Sequence, residues 1–154
     1  MLRKSPMLGP AFRAVKANCV LVVLVAGLGV VSGCFWRSYP DRLRTHSELL
    51  VSFAHKARDL VAARRFTAEN LPELTYPLER ASAFAAQGRQ HAATPPASLV
   101  AFEVLIDRYR AFVDLVDQMR RDRAGPDAAR ALDAPLLAID AAASDVKVAR
   151  DRER

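Results

Sequence analysis

Two cysteines and three histidines are the side chains of this 154-residue sequence with the widest chemical repertoire. Cys19 and Cys34 stand at the start and just past the end of residues 19–33, a run without charge. The Cys34 thiol follows two small residues, Ser32 and Gly33. No cysteine lies beyond it, so the remaining chain has no disulfide framework, thiolate catalysis or cysteine-ligated zinc available to it. His46 and His91 carry imidazoles of the kind that hold haem or a transition metal. His55 lies four residues before Asp59, the spacing of an exposed ion pair on one helix. Asp107, Asp114 and Asp117 share a pattern with Arg110 and Arg121 that reads as a solvated, salt-bridged face rather than a carboxylate metal site. Arg108, near Tyr109, reads as a side chain that snorkels from the flank of an apolar face. No Ser-His-Asp, Cys-His or paired-carboxylate arrangement stands out, and the sequence predicts no enzyme.

Residues 1–18 are basic and precede the charge-free run, the layout of an export signal. As a helix, residues 19–33 would reach about 22 Å, short of the ~30 Å hydrocarbon core. The run closes with Val31, Ser32, Gly33 and Cys34, which resembles the lipobox of bacterial lipoproteins. That resemblance implies cleavage before Cys34, a thioether-linked diacylglycerol on its sulfur and acylation of the new amine. Residues 1–33 would then be a cleaved signal and 34–40 a lipidated cysteine with its tether. Membrane lipid is the implied partner, because two or three acyl chains at ~0.8 kcal/mol per methylene hold a protein firmly on a bilayer. Phe35 replaces the Asp that commonly retains family members at the inner membrane, which favours the outer membrane and a periplasm-facing domain. The competing expectation is an uncleaved signal anchor extended through Trp36, with Trp36 and Tyr39 at the interface. Either way the domain is extracytoplasmic.

Composition sets the class of the remaining chain. Hydrophobic residues make up 51% and charged residues 26%, with only 6 Gly, a mixture that favours helix over a sandwich or barrel. The net charge of +6 looks like a nucleic-acid signature until it is divided. Arg3, Lys4, Arg13 and Lys16 account for most of it, and the exported part is nearly neutral, so no nucleic-acid partner is expected.

Four apolar stripes at steps of three and four then predict four helices. Leu43, His46, Leu50, Phe53, Ala57 and Leu60 form the first. The second is thinner and Ala-rich, through Leu71, Leu74, Leu78, Ala81, Ala85, Gly88 and Ala92, so a neighbour can approach closely. It starts at an Asn70 cap, and Pro77 predicts a kink or restart inside it. Thr94 reads as the cap of the third, whose face runs through Leu99, Phe102, Leu105, Ile106, Tyr109, Phe112, Val113, Val116 and Met119. Gly125 and Pro126 punctuate before the fourth, expected from about Asp127 to Arg150 with Pro135 inside it and a frayed tail over 151–154. The fold class is therefore all-α: an antiparallel up-down-up-down four-helix bundle over residues 41–150.

That topology places His46 and His91 at the same end, as a candidate bis-His site. The architecture, the length and the Ala-Thr-Pro-Pro turn at 93–96 are loosely similar to the small periplasmic four-helix cytochromes. The resemblance implies haem held by a Met early in helix 1 and a His late in helix 4, or by a Cys-x-x-Cys-His near the C-terminus. This chain has none of these; only His46 falls near a ligand position. The function expected is a non-catalytic interaction or structural component of the cell envelope with an envelope protein partner. A ligand-, haem- or metal-binding module is the alternative, and Pro77 and Pro135 are candidates for opening a cavity.

Overall fold

A computed structural model describes the backbone of residues 11–122 and 127–153, with side chains from Trp36 onward. It contains helices α1 (Ala11–Ala62), α2 (Leu71–His91), α3 (Ala97–Arg121), α4 (Ala128–Ala131) and α5 (Asp133–Arg152), and a 3-10 turn over Ala68–Asn70. The described residues include no strand. Two units are separated, Met1–Ser38 and Tyr39–Arg154. The first holds the expected signal; Val31, Ser32, Gly33 and Cys34 lie outside the residues whose side chains are described. No helix among the described residues is long and apolar enough to cross a membrane.

The second unit is the expected up-down-up-down bundle, with α4 and α5 together forming its fourth helix. Lys56 donates to Glu73 at 2.6 Å while Tyr39 stacks on Phe84 at 5.5 Å, so α2 runs antiparallel to α1. Arg89 pairs with Glu103 and the Tyr109 hydroxyl donates to the Leu74 carbonyl at 3.1 Å, which reverses the direction again. Ser98 at the start of α3 meets Glu153 at the end of α5. Arg58 near the end of α1 meets Asp133 at the start of α5. The α3 stripe supplies the centre: Leu99, Phe102, Leu105, Tyr109, Phe112 and Val116 are all fully buried. Full burial of each such side chain stabilises by roughly 1.5–3 kcal/mol. Gly88 gives α3 its close approach to α2, since a Cβ there would lie 3.0 Å from a Leu99 methyl carbon.

Several boundaries differ from expectation for local reasons. Tyr39 and Pro40, expected in the tether, are helical and belong to the bundle unit. Tyr39 is 4% exposed, so its ring lies in the core and not at a membrane interface. α1 ends at Ala62 with Arg64 left-handed at φ 56°. The Arg65 N–H returns to the Leu60 carbonyl at 2.8 Å and the Arg64 N–H to Val61 at 3.0 Å, a Schellman closure. Asn70 does not cap α2 with its side chain; its Oδ1 turns back to accept the Thr67 N–H at 2.9 Å. Pro77 does not restart α2, which runs unbroken from Leu71 to His91 with Pro77 buried. Its missing N–H removes only the bond to the Glu73 carbonyl.

The third helix is capped at extended Pro96 (ψ 152°) and not at Thr94, because Pro96 also disfavours helix at the residue before it. The fourth helix is broken at Leu132. Pro135 has no N–H to reach the Ala131 carbonyl, so the ladder resumes with Leu136 N–H donating to Leu132 at 3.0 Å. Gly125 and Pro126 lie outside the described residues. The tail is not frayed through Glu153: α5 continues to Arg152, and Glu153 is bonded to Ser98.

Candidate functional site

Arg42, His46, Leu49 and Phe53 recur at steps of four, three and four, which puts them on one face of α1. Tyr76 and Pro77 lie four and three residues before Arg80 on one side of α2, and with Asp41 and Thr45 the two faces enclose a groove of about 540 Å³. His46 connects the groove to an aromatic cluster in the core. The His46 ring lies 5.0 Å from Phe84 and 6.4 Å from Phe102, and Phe84 meets Phe102 edge-on at 5.9 Å. The Arg42 guanidinium covers the Phe84 ring at 4.8 Å, a cation–π contact. Leu49 and Tyr76 are left 41% and 61% exposed, so apolar surface remains open to solvent there.

Three effects act together on His46. Partial burial disfavours its charged form most, and the positive charges of Arg42 and then Arg80 lower its pKa further. The imidazole is therefore neutral at pH 7, with one nitrogen able to donate and the other to accept.

The bis-His pair is not assembled. Arg80, not His91, stands across the groove from His46. His91 lies eleven residues further along α2, about 16 Å by helical rise, so one metal or haem iron cannot take both imidazoles. His55 is also re-partnered: its Nε2 lies 3.1 Å from Asp140 Oδ1 on α5, while Asp59 faces Arg58 at 3.6 Å. Asp107 and Asp117 take separate partners, Arg110 at 2.6 Å and the Arg120–Arg121 pair. Asp117 is buried at 9% where the sequence pattern predicts a solvated position. Hydrogen bonding from Arg120 holds its carboxyl below the usual carboxylate range. Asp114 and Arg108 are exposed. Among the described residues no cluster of His, Cys, Asp and Glu could hold a metal ion.

A second groove, of about 500 Å³, lies between α1 and α5 and is lined by Arg44, Ser47, Val51, Val146, Lys147 and Arg150 among others. The first apolar stripe reaches the first groove at His46 and Phe53 but does not show its charged side, because Arg42 and Arg80 are not stripe residues. The signal that would have found the first is Arg42 four residues before the stripe histidine, on the same face. Phe84 was also missing from the expected α2 stripe, although it lies seven residues past Pro77.

No protein-family model matches this chain, and neither does any curated protein or solved structure.

Proposed function

We propose that this protein is a bacterial envelope lipoprotein whose exported four-helix bundle serves as a non-catalytic interaction module. The observation that carries this is the position of Cys34. It closes the charge-free run behind Val31, Ser32 and Gly33, and only residues 35–38 separate it from the bundle unit that begins at Tyr39. Cleavage there would leave the thiol on the first residue of the mature chain, next to a domain with no other cysteine. Acyl chains on Cys34 would confine the bundle to the membrane surface and raise its effective concentration for an envelope protein partner. Phe35 favours the outer membrane and a periplasm-facing bundle. The helical faces make the contacts, and nucleic acid is not a partner.

The test is a native mass spectrum of the protein extracted gently from its own host's membranes. The expected species lacks residues 1–33 and carries the mass of two or three acyl chains. A full-length, unmodified chain would replace this proposal with a signal anchor.

A further inference from the structure

The groove between α1 and α2 combines an apolar trough with a positively charged side. Leu49 and Tyr76 are exposed there beside Phe53 and Pro77, an arrangement that leaves apolar surface in water without a neighbouring helix to cover it. Charge is unevenly distributed around it: two guanidiniums, Arg42 and Arg80, stand against the single carboxylate of Asp41. Arg80 makes no ion pair among the described residues, in contrast to Arg58, Arg89, Arg110 and Arg120, each of which faces an acid. Neutral His46 lines the same groove as the two arginines, with one ring nitrogen able to donate.

We propose that this groove binds a single-chain anionic amphiphile, with its carboxylate between Arg80 and Arg42 and its chain along Leu49, Phe53, Tyr76 and Pro77. Size decides between this occupant and a macromolecular one. A volume of about 540 Å³ is that of a small-molecule site, whereas an acidic helix would need a longer uncovered face. From Arg42 to Phe53 the groove runs eleven residues of α1, about 16 Å, the reach of one extended acyl chain of medium length. Arg80 supplies the planar donor fork that suits a carboxylate. The inference stands on the bundle alone and does not depend on lipidation of Cys34.

The experiment titrates the full chain, reconstituted in phosphatidylcholine nanodiscs, with decanoate and separately with decanol. Side-chain NMR signals of His46, Tyr76 and Arg80 report occupancy. Decanoate is expected to move all three and to bind about tenfold more tightly than decanol, since charge-assisted hydrogen bonds form only with the acid. Arg80→Gln should weaken decanoate about tenfold and leave decanol unchanged. Equal affinity for the two probes, or no response to Arg80→Gln in a variant with native helicity, would overturn the proposal. So would groove signals that shift on raising protein concentration without ligand, because the occupant would then be a second copy of the chain. Should Arg80→Gln fail to fold, Tyr76→Ala decides: its exposed ring is part of the trough, and unchanged decanoate affinity in that variant also defeats the proposal.

Discussion

Protonating His46 adds a third positive charge to a groove that already holds Arg42 and Arg80, against the rings of Phe84 and Phe102. Its folded-state pKa lies below 6.5, so the unfolded chain takes the proton first as pH falls. The stability His46 contributes is complete above pH 6.5 and is lost as the pH drops from there through the lowered folded value. Asp117 has the same sign at lower pH: its contribution is complete above 3.8 and disappears as the carboxylate protonates between its two arginines. Urea midpoints measured across acid pH should therefore fall in two stages. His46→Gln flattens the first and Asp117→Asn the second; a first stage that survives His46→Gln would show that the groove does not set the histidine's charge. The stripe position of His46 is readable from spacing alone. Arg42, one turn before it, is readable in the same way; Arg80 is not, because it reaches His46 through the tertiary pairing of α1 with α2.

At the scale of elements, a local pattern is legible when it decides the matter and obscure when a backbone constraint does. The apolar part of the α3 face was legible in the sequence, since nine apolar positions at helical spacing admit one buried side, but Ser98 and Asp117 are buried with them and follow from no apolar pattern. The fourth helix was not, because Leu132 and Leu136 keep helical spacing while Pro135 breaks the ladder between them. Arg64 is the sharpest such case. It takes the left-handed position that ends α1, where a side chain costs about 1–2 kcal/mol and glycine costs none. Arg64→Gly gains that relief but loses about 0.4–1 kcal/mol through the freer unfolded chain. The net expectation is a gain of about 0.5–1 kcal/mol, with no change in denaturant slope. Equilibrium urea unfolding measures it, and a loss of stability would mean that the closure seen from Leu60 to Arg65 does not form.

Across the whole molecule, the two ends of the bundle sequence meet at one buried hydroxyl. Ser98 is fully buried, and its N–H and Oγ both donate to the Glu153 carboxylate, at 2.8 and 2.5 Å. With the serine proton committed to Glu153, the Tyr39 hydroxyl at 3.3 Å is the donor to Ser98 Oγ. Burial, with Glu153 and Glu103 nearby, pushes the Tyr39 phenol up to about 12, so it keeps its proton through the physiological range. A residue from the first turn of the bundle unit, one from the start of α3 and one just past the end of α5 are thus fixed together. The carboxylate also meets the positive end of the α3 dipole, where such a group stabilises by about 0.3–1 kcal/mol beyond its hydrogen bonds. Sequence pattern assigns this acid to a charged, frayed tail because its partner is 55 residues away and no local spacing connects them. Glu153→Ala should cost about 1–2 kcal/mol in all and leave the Ser98 N–H orphaned at the helix start. Amide hydrogen exchange locates the loss. Protection should fall about tenfold over the first turn of α3 and at Tyr39, while the amides from Leu105 to Val116 change only by the global destabilisation. Glu153→Gln, which keeps an acceptor but not the charge, should fall between the two. Uniform loss along α3 would mean that Glu153 acts on overall stability and does not hold the bundle shut at this end.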